Sequence, residues 1–337
     1  MNVDIDTRTA MGLNTADATE WRRDMTRSQN RRSDWSRIVA AAFAVVLGAL
    51  ALGSARAEAE MLTGLTSTGN LVTFDSATPG TINTSVAITG LQGGESLLGI
   101  DRRPANGLVY GLGSTSRLYT INTTTGAATA VGATPFAPAL TGTAFGFDFN
   151  PVPDRIRVVS TDTTNFRLNP NDGTLAGTDT PLTYAAGGSG AGFTPRVVGS
   201  AYINNFNGAA VTTLFEIDSN RDVLVMQGGP GGTPSPNGGV LTTIGTGLGF
   251  NTSDLIGFDV SGVSGVAFAS LTPATGGASQ LFTINLGTGT ATLVGTIGSG
   301  VTLTGLAANV GVVPEPASLT SLSIGGLGLI IAVRRRR

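Results

Sequence analysis

The segment Leu118 to Gly132, LYTINTTTGAATAVG, returns almost letter for letter at Leu281 to Gly295 as LFTINLGTGTATLVG. Each copy is an alternating β-branched and aromatic run, a Gly/Asn/Thr turn and a second short run, the pattern of a β-hairpin. A lone hairpin has nothing against which to bury its apolar face. Hairpins repeated at long, regular intervals therefore predict units stacked on their neighbours.

A second marker recurs with the hairpin. Gly99-Ile100-Asp101, Gly146-Phe147-Asp148, Gly199-Ser200-Ala201, Gly257-Phe258-Asp259 and Gly305-Leu306-Ala307 lie 47, 53, 58 and 48 residues apart. The leading hairpin strand recurs near Leu71, Leu118, Phe166, Leu224 and Leu281, which divides the chain into five units. Each unit reads as four strands, in the second unit Leu97 to Asp101, Leu108 to Leu112, Arg117 to Ile121 and Ala127 to Val131. One unit is split between the two ends of the repeat region. Leu303 to Val310 supplies its first strand, and Met61 to Thr66, Asn70 to Phe74 and Ile82 to Ile88 supply the other three. An open array leaves an unpaired edge at each end, whereas terminal strands mixed in one blade close a ring. The expected fold is all-β, a five-bladed β-propeller; a β-sandwich or solenoid built from the same hairpins is the alternative.

Composition supports strands and turns and removes much of the usual catalytic kit. Glycine occupies 49 of 337 positions and charged residues make up 12%, about twice and about half their average shares. There is no Cys, so disulfides and thiolate metal sites are excluded. There is also no His, and every one of the 20 basic residues is Arg. Imidazole bases, Schiff-base lysines and Ser/His triads are therefore absent.

The two ends of the chain read as sorting signals. Arg22, Arg23, Arg27, Arg31, Arg32 and Arg37 precede the apolar run Ile38 to Leu52 and the small-residue pattern Ala55-Arg56-Ala57, which is the layout of a secretory signal peptide over residues 1–57. The 15-residue run spans roughly 22 Å as a helix, short for a membrane span. At the other end, residues 311–337 hold Pro314-Glu315-Pro316, an apolar stretch to Val333, and Arg334, Arg335, Arg336 and Arg337. Prolines delay the helix, the apolar run inserts, and the arginines hold the end on the cytoplasmic side. That order resembles the PEP-CTERM sorting signal of Gram-negative bacteria. The resemblance implies a signal peptidase and an exosortase as processing partners, only transient membrane contact through the tail, and release to the cell surface or the extracellular polysaccharide matrix.

Between these ends, residues 58–310 form the expected repeat domain, with fifteen Asp and Glu against eight Arg. A net negative domain with no basic stripe argues against nucleic acid and anionic membrane surfaces. This region resembles the secreted bacterial domain of unknown function numbered 4394. The resemblance rests on Gly99 to Asn122, on Phe145 to Pro151 with Asp154 to Ser160, and on Asn165 to Gly173. It implies a propeller-like architecture and a cell-envelope or secreted setting, and carries no site residues.

Several residues are candidates for chemistry. Asp101, Asp148 and Asp259 end three of the first strands and would line a central channel. They could act as an acid/base pair or hold a metal, or each could cap the turn that follows it, the commoner use of Asp. Arg155 and Arg157 share one face of a strand, within reach of Asp148 and Asp154, as a clamp for a carboxylate or sugar acid or as an inter-blade ion pair. The oxygen-rich turns Asn169 to Gly173 and Asp218 to Asp222 could take calcium, although plain turns fit their sequence better. Phe136, Tyr184, Phe193 and Arg196 fall in connections on the usual ligand face of a propeller, where rings beside amides suit stacking on a sugar. Together these features predict a non-enzymatic binding or scaffold protein of the extracellular polysaccharide matrix, with a polysaccharide or surface protein as partner and no cofactor beyond calcium. The alternatives are a carbohydrate-active enzyme using the channel carboxylates and a self-associating adhesin.

Overall fold

The computed structural model describes residues 59–311, and among them the only helical elements are two three-residue turns. The signal segment expected over residues 1–57, and the sorting residues Pro314 to Pro316 and Arg334 to Arg337, lie outside the described residues.

The chain opens with β1 (Met61–Thr66), β2 (Asn70–Asp75) and β3 (Ile82–Ala87). Next come β4 (Leu97–Arg102), β5 (Val109–Gly113), β6 (Arg117–Ile121) and β7 (Ala128–Val131), then β8 (Phe145–Asn150), β9 (Arg155–Ser160), β10 (Asn165–Leu168) and β11 (Leu175–Thr178). A fourth group is β12 (Thr183–Tyr184), β13 (Val197–Tyr202), β14 (Leu214–Asp218), β15 (Val223–Gln227) and β16 (Val240–Ile244). A fifth is β17 (Thr252–Val260), β18 (Ala267–Pro273), β19 (Gln280–Ile284) and β20 (Ala291–Thr296), and β21 (Leu303–Ala307) comes last.

These strands form five sheets among the described residues, arranged as a five-bladed β-propeller. Blade 1 has the order β21-β1-β2-β3, so the last strand of the chain pairs with the first and the ring is closed by hydrogen bonds between the two ends. Blades 2, 3 and 5 are meanders of four strands, β4 to β7, β8 to β11 and β17 to β20. Blade 4 runs β13-β14-β15-β16 and gains a fifth strand that the repeat pattern does not announce. The two-residue β12 pairs in parallel with β16, through Thr183 with Val240 and Tyr184 with Leu241.

The core lies between blades. Five clusters of buried apolar residues occupy the five junctions, with Phe145, Phe147 and Phe149 of blade 3 against Tyr110, Leu112 and Leu118 of blade 2 as one instance. The other four join blades 4 and 5, 5 and 1, 1 and 2, and 3 and 4. This is the physical reason for the duplicated hairpin. Leu118 and Leu281 occupy equivalent places and are fully buried, each stabilising the ring by about 1.5–3 kcal/mol. The turn that follows is also shared. Asn122 Oδ1 accepts from the N–H groups of Thr124 and Thr125, and Asn285 Oδ1 from those of Gly287 and Thr288. Gly126 and Gly289 complete these turns at φ +75° and +72°, and each presses on a carbonyl of the neighbouring blade, Ala87 and Ile244. A side chain at either place would be strained by the backbone and would collide with that carbonyl.

The first strands β4, β8, β13, β17 and β21 pack around the axis, where Gly99, Gly146, Gly199, Gly257 and Gly305 let them approach closely. A Cβ on Gly146 would lie 2.5 Å from Ser200 Oγ, and one on Gly257 would overlap the backbone of Leu306. The recurring glycine is therefore a contact point between blades, and the cavity that these strands leave around the glycines is only about 10 Å³.

Candidate functional site

Two charged places stand out, one on the axis and one in a cleft at the rim of blades 3 and 4. Both follow from where the repeat sets its polar residues.

On the axis, Asp101, Asp148 and Asp259 stand two residues after the close-contact glycines and so point to the same face of each first strand. The glycine admits the next blade, and the aspartate reaches across to its backbone. Asp101 Oδ2 accepts from the N–H of Phe149 at 2.8 Å, Asp148 Oδ2 from that of Tyr202 at 2.8 Å and Asp259 Oδ2 from that of Ala308 at 2.6 Å. Blades 4 and 1 carry Ala201 and Ala307 at the equivalent place and make no such clasp. Of the N–H groups left over, that of Arg102 is taken by Oδ1 of its own neighbour Asp101. The expected capping of the following turn is thus corrected: apart from the bond to Arg102, these carboxylates hold neighbouring blades together, because the glycine two residues earlier brings the next backbone within reach.

The three side chains converge, with one oxygen from each within 4.8 Å of the others, and all three residues are buried. Burial pushes the Asp101 carboxyl up to about 6. Burial and then the charges of Asp101 and Asp259 raise Asp148 well above the usual carboxylate range, and burial with the charge of Asp101 does the same to Asp259. Asp148 Oδ1 has no hydrogen-bond partner among the described residues. Beside them lies Asn205, also fully buried, with Nδ2 3.5 Å from Asp259 Oδ1 and with an Oδ1 that has no partner. These are the residues that could hold a metal.

The second place is a cleft of about 320 Å³ between blades 3 and 4, opening at the end where β8 and β13 finish. One wall carries Arg155 and Arg157 of β9 and Arg167 of β10; the other carries Tyr202, Thr212, Ser235 and Asn237. Arg157 and Arg167 are opposite each other in the strand register, an arrangement that needs a counter-charge. Asp179 provides it. It accepts from Arg157 Nη1 at 2.6 Å and from Arg167 Nε and Nη2 at 2.7 and 2.8 Å. Burial works to raise the Asp179 carboxyl, but the hydrogen bonds of Arg167 and then Arg157 outweigh it and hold the group below its ordinary value. Arg157 is almost fully buried and also donates to Asn165 Oδ1 at 2.6 Å and Asn237 Oδ1 at 2.7 Å. Arg155 is different. Its only hydrogen bonds among the described residues go to the carbonyls of Pro153 and Asp154, and it forms no ion pair there. Exposed Val152 and Val211 edge the same cleft.

The arginine pair expected from the sequence is therefore corrected. Arg157 faces Asp148 across the β8–β9 register, yet its ion pair is with Asp179. The inter-blade ion pair exists, but Arg103 of blade 2 makes it with Asp154 of blade 3, which leaves Arg155 without that carboxylate. Both oxygen-rich turns are plain turns. Asn169 Oδ1 accepts from the N–H of Asn171, Asp172 from Thr174, and Asp218 Oδ1 from Asn220 and Arg221, so their oxygens serve the local backbone.

On the opposite end of the blades the four predicted binding residues separate. Phe136 packs into the core between blades 2 and 3, and Tyr184 is buried with its hydroxyl donating to Asp218 Oδ2 at 2.6 Å. Neither ring is free to stack on a sugar, because each fills an apolar junction. Arg196 is committed to Asp254, with Nε 2.8 Å from Oδ1. Phe193 remains 56% exposed, and the guanidinium of Arg221 lies 5.0 Å from its ring centre and 4.9 Å from that of Tyr184. The structure thus brings Phe193, Tyr184 and Arg221 together and leaves Phe136 elsewhere. Arg167, Asp179, Asn205 and Asn237 have no place among the sequence candidates. For Asp179 a signal existed in the two cross-strand arginines; for Asn205 and Asn237, which lie in connections outside the repeat pattern, there was none.

Residues 70–307 match a family described as a domain of unknown function (DUF4394). The chain belongs to that family. No curated protein matches it. Among solved structures, it is similar to a protein of unknown function from Bacteroides thetaiotaomicron, at 14% identity and a TM-score of 0.42, covering 72% of this chain and 61% of that one. It is similar to an auxiliary nutrient binding protein from Bacteroides ovatus, at 17% identity and a TM-score of 0.35, over 57% of this chain and 48% of that one. A third is PorZ, a bacterial surface component of the type-IX secretion system of Porphyromonas gingivalis, at 11% identity and a TM-score of 0.35, over 68% of this chain. The DUF4394 chain spans 27% of the PorZ chain and about half of the nutrient binding protein.

Proposed function

We propose that this domain is a non-catalytic binding module of the extracellular polysaccharide matrix, exported by the signal at its N-terminus and sorted by an exosortase through its tail, and that it takes an acidic saccharide in the cleft between blades 3 and 4. The observation that carries this reading is Arg155. In a domain where acids outnumber arginines fifteen to eight, it stands in a cleft without a carboxylate partner, beside two arginines that share one aspartate. A guanidinium meets a carboxylate through two parallel hydrogen bonds, and Ser235, Thr212 and Asn237 across the cleft suit sugar hydroxyls. Asp179 neutralises one of the three arginine charges, so an arriving uronate meets a net positive wall. The cleft's volume lies at the lower end of those that enclose a small ligand and fits one or two sugar rings.

Co-sedimentation of the full chain with the producing organism's own exopolysaccharide tests the reading. Saturable binding that falls at least tenfold in Arg155→Gln and is unchanged in Phe193→Ala supports the cleft. Loss in Phe193→Ala alone would move the site to the opposite end of the blades, and absence of binding by wild type would remove the matrix role. The enzyme alternative gains nothing from the axial carboxylates: Asp148 and Asp259 are fully buried, where no glycosidic bond can reach them.

A further inference from the structure

The axial aspartates do more than their clasps require. Three carboxylates supply six oxygens, and four axial N–H groups with the Asn205 side chain engage all but one. The remaining atom, Asp148 Oδ1, is buried without a hydrogen-bond donor beside the other two carboxyls. No arginine among the described residues comes within 4.0 Å of these carboxylates. Arg102 is the nearest cation, and its Nη1 is given to the carbonyl of Gly107 at 2.8 Å. A second, independent feature points the same way. Asn205 is fully buried and abuts Asp259 through its carboxamide, with Nδ2 at 3.5 Å from both Asp259 Oδ1 and the Val260 carbonyl and an Oδ1 that has no partner. The Asn205 oxygen and Asp148 Oδ1 are thus both buried without a donor.

We infer that the axis of the propeller is a binding site for one calcium ion, with Asp101, Asp148 and Asp259 as ligands and, once its side-chain amide turns over to exchange Nδ2 for Oδ1, the Asn205 carboxamide oxygen as a fourth. Oxygens bound to calcium lie about 2.3–2.6 Å from the ion, so any two are at most about 5 Å apart. Three oxygens no more than 4.8 Å from one another lie within about 2.8 Å of a common point, a small contraction away from calcium's range. The ligand set is oxygen only, in a chain without His or Cys, which suits a hard cation and excludes the sites that select zinc or copper. Each carboxylate keeps its bond to the neighbouring blade and uses a second lone pair for the ion. Calcium on the axis therefore ties blades 2, 3 and 5 to one point, and through their clasps blades 4 and 1 as well.

The full chain is stripped with chelator, equilibrated with calcium at about 1 mM, the weak end of protein calcium sites, freed of unbound ion and analysed for metal by mass spectrometry. Its thermal unfolding is followed with calcium and with chelator. Wild type is expected to retain one calcium per chain and to unfold at a higher temperature with calcium than without. Asp148→Asn and Asp259→Asn keep an oxygen for the backbone clasp while removing a charge, so both fold and both lose the bound ion and the calcium-dependent rise. Asp172→Asn, in the oxygen-rich turn of blade 3, retains them. No retained calcium and no rise in wild type would overturn the site and leave the cluster as a proton-sharing clasp. Equal retention by wild type and both axial variants would place the ion elsewhere and overturn it as well. Should an axial variant fail to fold, the stoichiometry and calcium-dependent rise of wild type, set against Asp172→Asn, decide the matter.

Discussion

The cleft and the axis handle buried charge in opposite ways. In the cleft, Arg157 and Arg167 close on Asp179, and two carboxamides take up the remaining donors of Arg157. On the axis, three carboxyls meet without an ion pair and are held by backbone N–H groups and the side chain of Asn205. The first arrangement is complete and leaves one cation, Arg155, to spare. The second is complete as a clasp and incomplete as electrostatics. Neighbouring parts of one ring thus differ in what they ask of solution: the cleft can bind an anion without rearranging, whereas the axis changes its energy with any cation that reaches it.

The largest effect is expected from breaking the cleft's internal pairing. Asp179→Ala leaves Arg157, almost fully buried, facing Arg167 with nothing between them. Removing one partner of a buried pair costs about 3–5 kcal/mol, which urea unfolding would read as a lower midpoint with the same slope. A loss near zero would mean that Asn165 and Asn237 suffice for Arg157.

A second prediction sharpens the contrast through pH, at a carboxyl that belongs to neither place. Glu216 on β14 is fully buried, accepts from Ser200 Oγ on β13 at 3.2 Å, and faces the charge of Arg157 on β9 and the hydroxyl of Tyr202. Burial pushes it up to about 8, against which the charge of Arg157 and the bond from Ser200 pull only in part. The folded chain therefore holds this proton where the unfolded chain has released it. Its contribution is fully present below the unfolded value of 4.5 and is lost as pH rises through about 8. Between those limits the slope is at most about 1.4 kcal/mol per pH unit. Glu216→Gln should flatten the stability profile by that portion, and chemical denaturation at pH 5, 6.5 and 8 would show it. A profile identical to wild type would mean that Glu216 stays ionised beside Arg157.

The smallest effect belongs to the opposite end of the blades. Phe193→Ala removes one of the two rings that flank Arg221, worth about 0.5–1 kcal/mol at an exposed place. Arg221 keeps its bonds to Thr243 and to the carbonyl of Ser189, so the loop should hold its shape. A larger loss would show that the ring organises the Tyr184 loop as well.

How much of this was legible in the sequence follows from what repeats. The five units, their ring closure and most strand limits rest on period-2 alternation, Asn turns and recurring glycines, which local physics writes into each copy; β6, β9, β10, β16 and β19 begin and end where the alternation does. The meeting of Asp101, Asp148 and Asp259 was readable for the same reason, since equivalent strand ends must converge on an axis. Their role was not. A clasp depends on the backbone of another blade about fifty residues away, and no local pattern reveals which N–H groups arrive there. The same limit explains the loop residues. Phe136 lies in an irregular connection and Tyr184 in the two-residue β12, on segments that fold back onto junctions between blades, and burial there depends on the path of the chain rather than on alternation. β12 escaped for want of length, since two residues carry no period.

The most direct test of the cleft as a binding site is a calorimetric titration of the full chain with a uronic-acid oligosaccharide, run for wild type and Arg155→Gln with a neutral glucan as control. The account predicts saturable binding of the acidic sugar to wild type, none of the neutral one, and loss of at least tenfold in affinity in a variant whose unfolding free energy stays within about 0.5 kcal/mol of wild type. Undiminished binding by Arg155→Gln, or equal binding of the neutral glucan, would contradict it.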